Sequence, residues 1–308
     1  MEYTELKFIS DIEDIRIDQY LKSVSDSLSR TYIQKLIKDG CVMINGKNIN
    51  KSSFTVNEDD EIILNLPNPL PLEILPQDIP LDIIYEDNDF LIVNKPKGMV
   101  VHPAPGHLND TMVNALLYHC KDSLSGINGI MRPGIVHRID MDTTGSIIVC
   151  KNDAAHQKIA TQLKEHSINR IYVGIVQGII KESEGTIDMY IARDKNDRKK
   201  MGITDSLHGK RAVTHYKVLE QFKEYSFVEF KLETGRTHQI RLAMSSIHHP
   251  LLGDYVYGTD KNKFKIKGQL LHAKTIGFIH PTSNEYVEYS AKLPDEFNNV
   301  LDSLRKGV

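Results

Sequence analysis

The sequence contains no tryptophan and only three cysteines among its 308 residues. The cysteines, Cys41, Cys120 and Cys150, are far apart, odd in number and never arranged as C-x-x-C. This spacing excludes a disulfide framework and a cysteine-based zinc site. It also indicates a reducing compartment, because disulfides are mostly a feature of secreted proteins.

Long apolar runs are missing as well. No stretch approaches the ~20 apolar residues that a membrane-spanning helix needs, and the charged start of the chain, Met1–Lys7, has no apolar signal core. We therefore expect a cytoplasmic protein without a membrane partner. Hydrophobic residues make up 40% of the chain and charged residues 26%, which is usual for a globular protein of one large domain or two.

An excess of basic charge is also absent, because the formal net charge is −3. Composition alone thus gives no signature of nucleic-acid binding, and a local basic patch would have to hold any such partner. The pair His248-His249 has no cysteine, histidine or acid nearby at the spacing of a metal site, so we expect no metal.

The most informative stretch is Arg132–Gly145, a mostly polar segment that precedes the apolar run Ser146–Cys150. Its proline and glycines mark it as a loop, and loops on a rigid scaffold commonly hold catalytic groups. Asp140 lies in it, two residues after Arg138. An aspartate before a Thr-Thr-Gly turn could be only a capping residue, so the single residue does not establish a function.

The wider string is more specific. It is His137-Arg138-Ile139-Asp140-x-Asp142-Thr143-Thr144-Gly145, and it resembles the signature loop of the RluA/RluD family of RNA pseudouridine synthases. A protein-kinase His-Arg-Asp loop is the obvious confusion, but the glycine-rich loop, the strand lysine and the Asp-Phe-Gly of kinases are missing. The resemblance implies an α+β pseudouridine synthase fold with a central mixed, largely antiparallel sheet, flanking helices and an active-site cleft.

A second string follows a predicted strand, Phe227–Leu232. The sequence Gly235-Arg236-Thr237-His238-Gln239-Ile240-Arg241 is close to the last signature of the family, in which the final arginine pairs with the catalytic aspartate. By resemblance, Arg241 and Asp140 take these two roles. Thr237 is a suitable N-cap for a helix whose inner stripe is Ile240, Ala243, Met244 and Ile247. Arg241 falls at the border of that stripe, where it would be partly covered.

The run Arg170–Gly178 alternates like a strand, with Arg170 and Tyr172 on one side and Ile171, Val173 and Ile175 on the other. A tyrosine there is often only a cross-strand packing residue. In the family, however, the tyrosine of a Lys/Arg-x-Tyr pattern lies against the target base, and an extruded base needs such an aromatic platform. We therefore expect Tyr172 to be catalytic, and by the same resemblance we expect substrate contacts from Arg138, His137, Thr144, Arg236, His238 and Arg170. Arg138 resembles the arginine that fills the gap left by the base.

Residues 13–66 form a compact module in the sequence pattern. A helix beginning at Arg16 is followed by a second helix, capped by Ser29 and ended by Gly40, and then by strands around the turn Asn45-Gly46. This order resembles the small RNA-binding domain named after ribosomal protein S4. The second helix holds Arg30, Lys35 and Lys38 off its apolar stripe. They form either an ordinary solvated face or a patch that contacts phosphate.

Five of the twelve prolines lie in residues 67–80, which indicates an extended linker. The predicted catalytic domain is then 81–308, with strands at 82–85 and 90–93 and helices at 111–119 and 154–166. Between these strands and the first helix lies the Asn94–Pro103 loop, which resembles the family motif that supports the catalytic loop. Residues 193–211 are basic and poor in apolar side chains, so we expect a mobile loop whose Lys199 and Lys200 contact RNA.

The chemistry of uridine isomerisation needs no redox partner and transfers no group, so we expect no cofactor. It needs an ionised carboxylate as nucleophile or base, and a neighbouring guanidinium keeps such a group charged. We expect a monomeric enzyme acting on large-subunit (23S) ribosomal RNA, since chains with this N-terminal module mostly do so. Three alternatives stay open: a transfer RNA substrate, a non-catalytic RNA-binding assembly factor, and a glycosidase or nucleosidase using Asp140 and Asp142.

Overall fold

A computed structural model of the chain describes residues 3–25, 28–67, 74–104, 106–121, 123–129, 131–197, 199–258 and 263–307. The chain divides into two compact units, Met1–Pro71 and Leu72–Val308. Much of the predicted linker, residues 68–73, lies outside the described residues, as does Arg198 of the predicted basic loop. Pro67, which we assigned to the linker, is the last residue of a strand.

The first unit contains six short strands and two helices among its described residues. They are β1 (Tyr3–Ile9), β2 (Ile15–Arg16), α1 (Ile17–Val24), α2 (Arg30–Lys38), β3 (Val42–Ile44), β4 (Lys47–Ile49), β5 (Thr55–Val56) and β6 (Glu61–Pro67). A four-stranded sheet has the order β1-β6-β3-β4, and β2 pairs with β5. All of these pairs are antiparallel.

Local signals determine the second helix of this unit. The hydroxyl of Ser29 accepts a hydrogen bond from the backbone N–H of Tyr32 and caps α2. Its buried stripe, Ile33, Leu36 and Ile37, packs in the core with α1. Gly40 then has a φ of 74°, in the left-handed region that ends helices. The capping and stripe that the sequence predicted are therefore present.

Strand β1 was not predicted, because the module was expected to begin at residue 13. Its residues are mostly exposed, so the alternation of apolar and polar side chains is weak. Nevertheless β1 pairs with β6 along its whole length, from Tyr3 opposite Pro67 to Ile9 opposite Glu61. Leu6 and Phe8 pack against the core, so the unit begins upstream of residue 13.

The second unit is built around one large sheet. Its elements are β7 (Ile83–Glu86), β8 (Phe90–Lys95), α3 (Met112–Cys120), β9 (Thr144–Cys150), α4 (Asp153–Lys164), β10 (Asn169–Gln177), β11 (Glu184–Arg193), β12 (Met201–Thr204), β13 (Lys210–Gln221), β14 (Tyr225–Leu232), α5 (Gln239–Ser246), β15 (Leu271–Ile279), β16 (Tyr286–Ser290) and α6 (Asp295–Arg305). The strand order is β12-β11-β13-β14-β10-β15-β9-β8-β7, and β16 also pairs with β15.

Helices cover the two faces of this sheet. Alternate residues of β8 belong to different cores: Leu91 and Val93 pack with α3, whereas Phe90 and Ile92 pack with Ile159 of α4. Both faces of these strands are therefore buried, which explains their continuous apolar sequence. None of the described helices is long and apolar enough to cross a membrane.

Each strand pair in the described part of the sheet is antiparallel except the junction of β9 and β15, which is parallel. The predicted mixed, largely antiparallel sheet is therefore confirmed. At the junction Gly145 lies opposite Ala273, and a Cβ on Gly145 would come 2.3 Å from the Ala273 carbonyl oxygen. Only glycine allows the two backbones to approach so closely, and this junction immediately follows the Asp140 loop.

His272 ties the same junction together and makes it sensitive to acid. Its Nδ1 lies 2.8 Å from the Thr144 hydroxyl and its Nε2 lies 3.3 Å from the Ala291 carbonyl oxygen. The ring is fully buried, and burial lowers its pKa from 6.5 to about 4. Nε2–H donates to Ala291, so Nδ1 must stay unprotonated to accept from Thr144.

We expect this histidine to reduce stability at low pH. Between pH 6.5 and about 4 the unfolded chain binds a proton at residue 272 that the folded chain does not, so the free energy of unfolding falls as the pH falls. Urea unfolding between pH 7 and 4 should show a shallower loss for His272→Asn than for the wild type. His107→Asn, at an exposed histidine, should keep the wild-type slope. Equal slopes for wild type and His272→Asn would contradict the assignment.

Candidate active site

A cavity of about 350 Å³ lies at the parallel junction of the sheet. Its lining residues come from loops, from helices α4 and α5 and from strands β10, β14 and β15. Four arginines but only one carboxylate are among them. The lining is formed by Val136, His137, Arg138, Ile139, Asp140, Thr143, Leu163, His166, Arg170, Tyr172, Leu232, Gly235, Arg236, Thr237, His238, Gln239, Ile240, Arg241 and Leu271. Two sequence motifs that are about 100 residues apart thus meet in one cavity.

The carboxylate is Asp140, and Arg241 is its partner. Nη1 of Arg241 donates to Oδ2 of Asp140 at 2.9 Å. The side chain of Asp140 is 21% exposed and that of Arg241 is 6% exposed, so the carboxylate faces the cavity while the guanidinium lies behind it. The contact that the family resemblance implied is therefore present, and Arg241 is more deeply buried than the border position on its helix indicated.

A second acid holds Arg241 in place. Asp254, which is fully buried, accepts from Nε at 2.7 Å and from Nη2 at 2.9 Å, a bidentate ion pair. The Asp254 carboxylate also accepts from the backbone N–H groups of Val256 and Tyr257. Burial alone would lower the pKa of Arg241, but the hydrogen bonds and charges of Asp254 and Asp140 outweigh it and raise that pKa. Arg241 is permanently charged and fixed in orientation.

His238 is the second cation-capable side chain near the carboxylate, with Nε2 3.9 Å from Oδ2 of Asp140. Its Nδ1 lies 2.9 Å from the Tyr257 hydroxyl, which itself accepts from the Met201 N–H at 2.7 Å. The same hydroxyl also donates to the Met201 carbonyl oxygen at 3.4 Å, so Tyr257 links His238 to the backbone of β12. Burial lowers the pKa of His238, although the charge of Asp140 opposes the shift.

The turn before α5 differs from the prediction. Thr237 does not cap the helix: the N-cap is His238, with a φ of 56° and no side-chain cap. Instead Gln239 fixes the turn, because its Oε1 accepts from the Thr234 hydroxyl and from the Arg236 N–H. Its Nε2 donates to Val213 on β13. Of the predicted stripe, Ile240, Ala243 and Met244 are buried, whereas Ile247 is half-buried and follows the last residue of the helix.

Tyr172 and Arg170 reach the cavity from β10, in the interior of the sheet. Both line the cavity, as expected for side chains two residues apart on a strand. Neither lies on a polar face, since Arg170 is 7% exposed and Tyr172 packs among the apolar side chains of two cores. The tyrosine ring thus adds an apolar surface to the cavity that Asp140 and Arg241 also line.

The other predicted substrate contacts have different positions. Arg138 is exposed and Arg236 is half-buried, and both line the cavity. His137 lines it too, but its Nε2 accepts the Ile148 N–H at 2.9 Å, so that atom is not available to substrate. Thr144 is not among the lining residues, and its hydroxyl is bonded to His272. Thr144 therefore supports the strand junction.

The Asn94–Pro103 loop supports the loop that contains Asp140, as the resemblance implied. Nζ of the fully buried Lys95 donates to three backbone carbonyls, those of Pro96, Met99 and Met141, at 2.7–2.8 Å. The Gly98 N–H also donates to the Met141 carbonyl. Since Met141 follows Asp140 directly, the lysine fixes the backbone next to the carboxylate.

Among the residues that the structure describes, no group of three or more His, Cys, Asp or Glu side chains is placed to hold a metal ion.

The chain matches the family model described as RNA pseudouridylate synthase over residues 89–246, which is more than half of its length. The protein is a member of the RNA pseudouridine synthase family. A second match, to the S4 domain, covers residues 15–62.

Individual relatives agree with this family. The chain is 50% identical to an uncharacterized RNA pseudouridine synthase of Bacillus subtilis, over 94% of each chain. It is 47% identical to the ribosomal large subunit pseudouridine synthase D of Zymomonas mobilis, over 94% of this chain and 93% of that one. Human RNA pseudouridylate synthase domain containing 1 is similar in structure, with a TM-score of 0.56, 26% identity and coverage of 78% of this chain and 98% of that one.

In this pseudouridine synthase the predicted RNA-contacting residues of the S4 domain are exposed, but they are not equivalent. Lys35 and Lys38 lie on the outer side of α2. Arg30 is half-exposed and donates through Nε and Nη2 to the fully buried Asp18, at 3.1 and 3.0 Å. An arginine that neutralises a buried acid has less of its charge available for phosphate.

The predicted mobile loop 193–211 is wrong in part, because much of it is strand. Residues 201–204 form β12, which pairs with β11, and Lys210 begins β13. Asp194 nucleates the connection, since its Oδ1 accepts from the N–H groups of Asn196 and Asp197. Lys199 and Lys200 lie in this turn of a β-hairpin. An edge hairpin has few apolar residues, so the alternation that predicts a strand was not recognisable in this segment.

Sequence reasoning missed four residues that organise the site: Asp254, Tyr257, Lys95 and Gln239. Asp254 and Tyr257 belong to the segment after α5, to which the sequence analysis assigned no site residue. Their function depends on contacts with Arg241 and His238, and such contacts are not visible in periodicity. A signal existed for Asp254, because a lone acid beside two leucines and a glycine is a candidate for a buried, paired charge.

Proposed function

We propose that the protein converts specific uridines of large-subunit ribosomal RNA to pseudouridine, with Asp140 as the catalytic carboxylate. The observation that supports this most strongly is the 2.9 Å contact of Arg241 with Asp140 inside a cavity that Tyr172 also lines. The choice of RNA rests on similarity, since the Zymomonas mobilis relative is named a ribosomal large subunit pseudouridine synthase.

Arg241 donates hydrogen bonds to two carboxylates, those of Asp254 and Asp140, and this arrangement determines how Asp140 can react. Asp254 occupies Nε and Nη2, so only Nη1 is directed to Asp140. Arg241 contacts only Oδ2 of Asp140, so the other oxygen, Oδ1, can be presented to a substrate. An ionised carboxylate in this position can attack an electrophilic carbon or remove a proton. Arg241 keeps its orientation through either step.

The target uridine must leave its helix to reach this carboxylate. The cavity is within the range of small-molecule sites, and it has one aromatic wall, Tyr172. Stacking on such a ring offsets part of the few kcal/mol that unstacking a base costs. Arg138 is the exposed member of the lining arginines. Its long, planar side chain suits the space that the extruded base leaves.

The charge of the cavity also fits RNA. Arg138, Arg170, Arg236 and Arg241 line it together with a single acid, Asp140. This local excess of positive charge contrasts with the net charge of −3 for the whole chain. A basic cavity in an acidic protein concentrates a polyanion at one place.

The alternatives are less well supported. A two-carboxylate glycosidase or nucleosidase would need Asp142 in the cavity, but Asp142 is not among its lining residues and packs over Gly268. A non-catalytic assembly factor leaves the buried Asp254–Arg241–Asp140 array without a purpose. A transfer RNA substrate uses the same site, so only a direct comparison of RNAs separates it from ribosomal RNA.

Tritium release tests the proposal. Transcripts of large-subunit ribosomal RNA with tritium at C5 of uridine should release it, because C5 exchanges its hydrogen for the bond to the sugar. The uracil should stay in the RNA as pseudouridine. An assembly factor would release nothing, and a nucleosidase would liberate the base. Transfer RNA transcripts labelled in the same way should remain unchanged; preferential release from them would overturn the choice of RNA.

The S4 domain should provide affinity rather than chemistry. Deleting residues 1–66 should weaken RNA binding and reduce the slope of log affinity against log salt by about 1 for each lost phosphate contact. Residues 81–308 should still fold, which circular dichroism and thermal unfolding would show. Lys35→Gln with Lys38→Gln should reproduce part of the loss, and Tyr32→Phe, on the same helix, should not. A truncated chain that cannot fold would contradict the predicted boundary.

A further inference from the structure

Arg170 is a buried cation without an acid partner. Its side chain is 7% exposed, yet no described carboxylate lies within ion-pair distance of it. One hydrogen bond is formed by its guanidinium, from Nη2 to the Glu233 carbonyl oxygen at 2.9 Å. Its Nε is buried and has no partner. Burial lowers the pKa of Arg170, and an unpaired buried charge is costly, so the position indicates a function.

Gly235 makes this position possible. A Cβ on Gly235 would lie 2.5 Å from Nη1 of Arg170, so the guanidinium packs directly against the glycine backbone. Gly235 is not one of the glycines with positive φ, and its conformation is therefore open to other residues. The glycine of the Gly-Arg-Thr-His-Gln motif thus leaves room for Arg170.

The guanidinium lies beside the predicted place of the base. Arg170 and Tyr172, two residues apart on β10, line the same cavity, and Asp140 lines it as well. Burial raises the pKa of Tyr172, the charge of Arg170 lowers it and the charge of Asp140 raises it. Both charges therefore act on the tyrosine hydroxyl. A uracil on the ring of Tyr172 would have Asp140 and Arg170 within reach.

We propose that Arg170 binds a carbonyl oxygen of the extruded uracil and stabilises the negative charge that the base acquires during the reaction. This inference rests on the proposed function. Isomerisation breaks the bond between C1′ and N1, and its electron pair stays on the base, shared by N1 and the two carbonyl oxygens. A bond from C5 to C1′ then forms, C5 loses its proton and N1 takes up a proton, so the product is an isomer of the substrate.

The burial of Arg170 favours the base over a phosphate as its ligand. Phosphates stay on the RNA strand, where the exposed Arg138 can meet them. Arg170 is 7% exposed and lines the cavity that is proposed to hold the base. A fixed donor aimed at the place where charge develops lowers the barrier more than it strengthens ground-state binding.

The test compares single-turnover rates and RNA affinity of the full-length chain, with transcribed large-subunit ribosomal RNA as substrate. Arg170→Met should slow the reaction by about 10²–10³-fold, the usual effect of removing one such donor, and leave the dissociation constant nearly unchanged. Gly235→Ala should also slow it, because the methyl group displaces the guanidinium. Gly126→Ala is the matched control, since its Cβ meets open space at ordinary φ. If Arg170→Met does not fold, the rates of Gly235→Ala and Gly126→Ala test the inference: it predicts a slower reaction for Gly235→Ala alone.

A sulfur substitution distinguishes direct contact from structural support. RNA with sulfur in place of O2 or O4 of the target uracil should react more slowly with the wild type at the contacted position, and Arg170→Met should be insensitive to that change. Equal sulfur effects in both proteins at both positions would overturn the inference, as would weaker affinity with an unchanged rate, which indicates a phosphate contact. If the wild type itself forms no pseudouridine, the proposed function fails instead.

Discussion

Replacing Asp140 by asparagine should abolish pseudouridine formation while the protein still folds and binds RNA. The amide keeps the shape and can still accept from Nη1 of Arg241, which lies 2.9 Å away, but it is neither a nucleophile nor a base. Loss of a principal catalytic group typically lowers turnover by at least ~10⁴-fold. RNA affinity should change by less than about tenfold, or about 1.4 kcal/mol. Tritium release and filter binding on the same transcript measure the two quantities.

Asp142→Asn is the matched control for this variant. Asp142 lies two residues away in the same loop, its burial raises its pKa, and it does not line the cavity. An isosteric amide should therefore leave most of the turnover. If the asparagine at 142 were the inactive variant and that at 140 the active one, the assignment of the carboxylate would be wrong.

Asp254→Ala should produce the largest loss of stability. The change removes a fully buried carboxylate that accepts four hydrogen bonds, two of them from Arg241. Arg241 then remains as a buried cation with Asp140 as its one carboxylate. Breaking a buried ion pair in this way costs about 3–5 kcal/mol. The free energy of unfolding from urea titration measures the loss, and turnover should fall with it because Nη1 is no longer fixed.

The exposed pair of Asp188 and Arg211 offers a direct comparison. It has the same bidentate geometry, with Nε and Nη2 of Arg211 on the two Asp188 oxygens, but both side chains are largely in solvent. Asp188→Ala should change stability hardly at all, since solvent screens surface pairs. Similar losses at positions 188 and 254 would show that the buried array does not hold the site together.

Local signals in the sequence were sufficient for much of the fold. Ser29 and the apolar stripe predicted α2 correctly. The strands predicted at 82–85 and 90–93 agree with β7 (Ile83–Glu86) and β8 (Phe90–Lys95) to within two residues. In these elements each residue's neighbours along the chain determine its environment. The hairpin β11–β12 and the strand β1 were missed because edge strands bury too little apolar surface to alternate clearly.

The contact between Asp140 and Arg241 was predictable only through the motifs. Asp140 and Arg241 are 101 residues apart, and the parallel junction of β9 with β15 brings their segments together. Residues whose role depends on contacts with residues far away in the sequence were harder to predict. Asp254 holds Arg241 from the rear, and Lys95 fixes the backbone beside Asp140 with three carbonyl contacts. The spacing of residues in the sequence does not predict such contacts, because they depend on how loops pack against each other.

The most direct measurement is a map of pseudouridines in the large-subunit ribosomal RNA of cells that lack this protein. Specific uridines should be unmodified in those cells. A gene for the wild-type chain should restore the modification, and one for Asp140→Asn, expressed at the same level, should not. Restoration by the asparagine variant would contradict the account, and so would an unchanged map in the deleted cells.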